Sequence, residues 1–295
     1  MNLKNITYCF VFLFFAPQLI SQEADEKQQG HLNNNKFRQL YQEFSSPNIY
    51  RAASGAPGPS YYQQQADYKI NVELDDQNKM IYGDETITYT NNSPQKLEYL
   101  WVQLDQNVRK KDSPSLDRDS ESVVPYYLPD SFDKEFLKDS FDGGFNVEHV
   151  NDINNKPLDY MINQTMMRVN LPKPLSTGEQ FSFKIKWWYN INDHVKQDGR
   201  SGYETFPNDT NRAYIIAQFF PRMCVYNEVE GWQNQQFWGD GEFALPFGNY
   251  EVNITVPADH VLEATGELQN RKEVYSKEMM KRFNKAKKSY DKPVV

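Results

Sequence analysis

Few residues of this 295-residue chain have the types and spacing that chemistry needs. The histidines are His31, His149, His194 and His260, and none has the spacing of a zinc site. His260 comes nearest because Glu263 follows it, but "DHVLEATG" has no second histidine and reads as a turn entering a strand. The chain contains no H-E-x-x-H, no Gly-rich phosphate loop and no G-x-S-x-G elbow. Cys224 is a nucleophile by type, yet no histidine lies near it in sequence, so a packed thiol is the better reading. Glu228, Glu230, Asp240 and Glu242 flank Trp232 and Trp238, a composition that would suit a glycosidase carboxylate pair. Carboxylates on an acidic chain are mostly solvated, and the two tryptophans are expected to fill a core edge or an interface. One polar residue stands apart. In "YIIAQFFPRMCVYNEVEGW", Gln218 interrupts what begins as a buried strand, and Pro221 ends it.

Composition limits the function classes. Hydrophobic residues make up 39% and aromatic residues 15% of the chain, enough for a sizeable core, while the mean hydropathy of −0.80 reflects abundant Asn, Gln, Asp and Lys. A net charge of −8 argues against nucleic acid as a partner. The exception is the stretch from Arg271 to Lys292, with nine basic residues against three acidic ones. It reads as a solvated helix or linker.

Residues 1–22 follow signal-peptide grammar: Lys4, an apolar stretch from Ile6 to Ile20 broken by Pro17, then Ser21 and Gln22. Export to a periplasmic or extracellular space, most simply from a bacterium, is the expectation, with no integral membrane segment after the leader is removed. Of the two cysteines, Cys9 lies in the leader, so the processed chain keeps Cys224 alone and has no internal disulfide.

The elements that must position Gln218 are strands. Residues 23–60 form a polar extension with a short helix (Phe37, Leu40, Tyr41, Phe44) and a Pro/Gly linker, and the folded body starts near Tyr61. In "YKINVELD" Ile70, Val72 and Leu74 share a face, "DDQNK" turns, and "MIYGDETITYT" returns. Leu100, Val102 and Leu104 line a third strand. In "QFSFKIKWWYNI" Phe181, Phe183, Ile185, Trp187 and Tyr189 alternate with Ser182, Lys184 and Lys186. Tyr250, Val252, Ile254 and Val256 repeat the pattern. The domain is all-β over 61–270, with a long charged excursion between the third strand and "GGFNVEHV". Residues 271–295 form a basic helical insertion, after which "KPVV" opens a further strand and the sequence stops, as in a truncated reading frame.

The segments "YYQQQADYKINVELD", "GDETITYTNNSPQKLEYLWVQLDQN", "YIIAQFFPRMCVYNEVEGW" and "GEFALPFGNYEVNITVPADHVLEATGEL", in that order, resemble the amino-terminal domain of zinc metallopeptidases of the aminopeptidase N family, in particular an exported bacterial subgroup. The resemblance runs from Tyr61 to Val295 and implies a saddle-shaped β-sandwich of mostly antiparallel strands, packed on a separate thermolysin-like catalytic domain. It also implies that Gln218, followed by Phe219 and Pro221, accepts a hydrogen bond from the free α-amine of a peptide substrate. Many members carry Glu-Pro after the glutamine and its aromatic neighbour, then Ala-Arg. Here Phe220 precedes Pro221 and "RMCVYNEVEGW" follows, which leaves Arg222 and Glu228 as candidates for holding the loop or the domain contact. The family's H-E-x-x-H zinc site with its downstream Glu belongs to the catalytic domain. These 295 residues hold none of it, so the zinc is expected in the parent protein, and neither a metal site nor catalysis is expected of this chain. Two other readings stay open: a stand-alone module binding glycan or protein through Trp187, Trp188, Trp232 and Trp238, and a domain of a peptidase homologue that has lost its zinc ligands.

Overall fold

The computed structural model describes residues 47–115, 126, 128, 129, 132, 141–197, 199–208, 211–239, 241 and 243–294. The expected leader, the helix of Phe37 to Phe44, most of the charged excursion, Asp240 and Glu242 lie outside the described residues. In chain order the strands are β1 (Gln65–Asp75), β2 (Met80–Thr90), β3 (Leu97–Gln103), β4 (Asn146–Asp152), β5 (Tyr160–Asn163), β6 (Met166–Leu175) and β7 (Gln180–Asn190). Then come β8 (Gly202–Thr205), β9 (Arg212–Ile215), β10 (Arg222–Met223), β11 (Tyr226–Asn227), β12 (Gly231–Trp232) and β13 (Tyr250–Thr255), followed by the helices α1 (Arg271–Val274) and α2 (Lys277–Ala286).

Two sheets form a sandwich. One has the order β13-β1-β2-β7-β4 and the other β10-β3-β6-β5, and every pairing is antiparallel except that of β1 with β13. The period-two alternation sets the register, because a slip of one residue would turn every apolar side chain to the wrong face. Tyr68, Ile70 and Val72 of β1, Ile81, Ile87 and Tyr89 of β2, and Phe183, Ile185, Trp187 and Tyr189 of β7 are all buried. They meet Leu100 and Val102 of β3 and Met167 and Val169 of β6 in one hydrophobic core. Burying each such side chain contributes about 1.5–3 kcal/mol, and this core holds the two sheets together without help from a disulfide. Cys224 is itself part of that core, 1% exposed, and burial pushes its thiol far above the ordinary value. It is a packed thiol, as its sequence context suggested.

Several expectations need correction. The strand expected from Tyr214 through Gln218 ends at Ile215: β9 pairs with β8 in a separate ribbon, and Ile215 is 63% exposed. Leu104 lies just past the end of β3, although it is fully buried. The turn at His260 is present, with its N–H donating to the Pro257 carbonyl, but no strand follows over 261–265. Residues 292–294 of "KPVV" are not in a strand either. A strand needs a neighbour for its backbone groups, and among the described residues neither segment has a strand beside it. The face of β13 was read correctly as apolar, but it is not covered. Tyr250, Val252 and Ile254 continue the buried row of Tyr68, Ile70 and Val72 one strand outward, yet are 49%, 39% and 36% exposed.

Candidate functional site

Gln218 sits in a loop between β9 and β10 with φ of 53°, the left-handed region that costs a non-glycine residue about 1–2 kcal/mol. Five side-chain hydrogen bonds fix the backbone there. The Gln106 amide nitrogen donates to the carbonyls of Ala217 (3.1 Å) and Gln218 (3.0 Å). Ser201 Oγ donates to the Ala217 carbonyl at 2.8 Å and accepts from the Ala217 N–H at 2.9 Å. On the far side, Trp187 Nε1 donates to the Phe219 carbonyl at 3.2 Å. Gln106 is held in turn, its Oε1 accepting from Arg109 Nη1 at 3.0 Å. By contrast, no described residue hydrogen-bonds the Gln218 side-chain amide, which is half-buried.

Each holder is placed by its element. Gln106 lies in a 3-10 turn, Asp105–Arg109, that follows β3 directly, and Asp105, Gln106 and Asn107 are all buried. Trp187 faces inward from β7 opposite Gly83 of β2. A Cβ on Gly83 would come within 2.3 Å of the indole, so only glycine leaves room for the ring in this position. Phe220 packs edge-on against Tyr68 and Tyr250, which stack on each other at 4.8 Å, and this anchors the loop to the open edge of the larger sheet.

The structure brings Arg222 to the same turn. Its Nε and Nη2 both lie 2.8 Å from Asp105 Oδ2, and the Asp105 side chain is 1% exposed. Arg222 therefore braces the turn whose next residue holds Gln218. Glu228 goes elsewhere: it accepts a hydrogen bond from Arg51 Nε, tying the lead-in segment to the β11–β12 hairpin. A groove of about 210 Å³ bordered by Arg51, Tyr62, Tyr226 and Phe247 also lies away from Gln218. Of the four tryptophans offered for a binding module, Trp187 and Trp232 are buried, while Trp188 and Trp238 are half-buried.

Sequence reasoning missed Gln106, Ser201 and the Trp187 indole N–H. The signal that could have found the first is the density of polar side chains immediately after β3, in "QLDQN", where a surface turn and a buried bracket look alike. It also missed Glu85, which is buried in β2 with no hydrogen-bond partner among the described residues for either carboxylate oxygen. Burial holds that carboxyl well above its ordinary range, with Asp84 adding to the shift. Among the described residues no group of three or more His, Cys, Asp or Glu could hold a metal.

No protein-family model and no curated protein matches the chain. Among solved structures it is similar to the M1 zinc metallopeptidase from Deinococcus radiodurans, at 12% identity over 72% of this chain and 38% of that chain, with a TM-score of 0.34. A mutant of that enzyme matches at 14% identity over the same shares, with a TM-score of 0.33. The chain spans 38% of the length of those solved chains. What the strand order and core define is the class: an all-β sandwich of two mostly antiparallel sheets, with two short helices after it.

Proposed function

We propose that this chain is the exported amino-terminal substrate-recognition and scaffold domain of a zinc-dependent metallo-aminopeptidase, and that Gln218 accepts a hydrogen bond from the free amine of a peptide. The observation that carries the reading is the contrast at Gln218. Its backbone is fixed in a costly conformation by three buried or half-buried side chains, while no described residue pairs with its amide. Strain held at one residue by surroundings that over-determine it is a mark of functional loops. The sequence resemblance supplies the chemistry, and the exposed row of Tyr250, Val252 and Ile254 supports a neighbouring domain packed on this one. The zinc and the general base belong to that neighbour, and removal of amino-terminal residues is the activity of the parent protein.

A hydrogen bond to an ammonium group is worth about 1.5–3 kcal/mol, roughly ten- to a hundredfold in affinity. Titrating the chain with a short unblocked peptide and with its N-acetylated twin, while following the Gln218 side-chain amide by NMR, tests the assignment. The unblocked peptide should shift that resonance at roughly tenfold lower concentration, and Gln218→Ala should make the two peptides equivalent. Equal response of the wild-type chain to both peptides would refute the role.

A further inference from the structure

We infer that the two-helix tail, Arg271 to Lys292, is a docking element for an anionic lipid surface. The inference is independent of the peptidase reading. Lys277, Lys281, Lys285 and Lys288 recur at spacings of four, four and three, so they lie along one side of α2 and its exit. Met279, Phe283 and Ala286 recur at four and three along another. The result is a helix with a cationic arc and an apolar arc. Ser276 caps it by accepting from the Met279 N–H at 3.2 Å, and the Glu278–Arg282 pair supports it one turn on.

The apolar arc is covered only in part: Phe283 is half-buried beside Arg271, Tyr275 and Lys287, while Met279 is exposed. No residue of α1 or α2 is buried, and Val274, Met279 and Tyr290 are 58%, 47% and 93% exposed. A ten-residue helix with this much exposed apolar surface gains by burying it. The charge says against what. The tail carries nine basic residues against three acidic ones in a molecule of net charge −8, so its partner presents negative charge beside an apolar layer. A bilayer containing acidic phospholipids offers both at the right depths. The Phe283 ring shows how the cations would sit: the Arg271 guanidinium and the Lys287 ammonium each lie 4.8 Å from its centre, with Tyr275 against its edge. Cations flanking a ring can meet phosphates while the ring enters the headgroup boundary. No helix among the described residues is long and apolar enough to cross a membrane, so the element lies on the surface.

The test is co-sedimentation of the full chain with vesicles of phosphatidylcholine alone and of phosphatidylcholine with phosphatidylglycerol in equal parts. Binding to the acidic vesicles should be at least roughly tenfold tighter and should weaken as salt is raised. Each lysine near the surface is worth about fivefold, so the triple change Lys281→Gln, Lys285→Gln, Lys288→Gln should cost on the order of a hundredfold. The matching triple change to Arg should keep the binding, and Met279→Ser with Phe283→Ser should weaken it at every salt concentration. Because none of these side chains belongs to the hydrophobic core, the sandwich is untouched by the changes. Equal binding to both vesicle types, or undiminished binding by the glutamine variant, overturns the inference. So does lipid-free self-association that the same lysine changes abolish, which would make a second, acidic copy of the chain the true partner.

Discussion

At the scale of single residues, strain and burial make opposite demands on the two polar side chains that matter most. Gln218 is held at φ 53° by its neighbours. Replacing it with glycine should remove the strain and raise stability by up to about 1 kcal/mol in urea denaturation, while abolishing discrimination between free and acetylated peptides. Gln106→Ala should do the reverse, costing about 1–3 kcal/mol because two loop carbonyls lose a buried donor. Glu85 governs a pH effect. Its carboxyl is protonated in the folded core well above the ordinary value of 4.5, so between that value and the folded one the unfolded chain holds fewer protons. Its contribution is therefore complete below pH 4.5 and is lost as pH rises towards the folded value. Denaturation midpoints measured from pH 5 to 9 should fall for the wild type relative to Glu85→Gln, which has nothing to titrate there, and Glu85→Leu should be the more stable protein throughout. Asp76 acts in the opposite sense, since the Tyr214 hydroxyl chiefly holds its carboxylate below the usual range and its share is lost on acidification.

At the scale of elements, the alternation in β1, β2 and β7 was legible because these strands have one inner face, and period two is then a direct record of burial. The same pattern in β13 gave the correct face but not its exposure, because periodicity reports which side chains share a face and says nothing of what lies opposite. The loop of Gln218 was misread as strand for a different reason. Its conformation is imposed by Gln106, more than a hundred positions earlier, and by Trp187, so no window around Gln218 contains the cause. Gly83 is the clearest link between element and site. Gly83→Val should displace the Trp187 ring, at a cost of about 1–3 kcal/mol for overpacking. Loss of the indole hydrogen bond to Phe219 should appear as a shift of the Trp187 Nε1–H resonance, and a variant that keeps that resonance unchanged would show that the glycine is not what seats the ring.

At the scale of the whole molecule, the smaller sheet ends at β10 while the larger one runs on to β13, so the sandwich is open along one side. Tyr250, Val252 and Ile254 are exposed there, next to the aromatic cluster that anchors the Gln218 loop. An apolar row at a sheet edge attracts whatever apolar surface is available. The isolated chain should therefore self-associate as its concentration rises in sedimentation velocity, and Val252→Lys with Ile254→Lys should restore the monomer without lowering the unfolding midpoint, since neither side chain is buried. The lysine changes in α2 should leave this association intact, which separates an edge-driven contact from one made by the tail. If the β13 variant associates as strongly as the wild type, the open edge is not the adhesive surface. The case for a neighbouring domain packed on this face then loses its structural support, while the Gln218 assignment, which rests on a different set of contacts, stands or falls on its own titration.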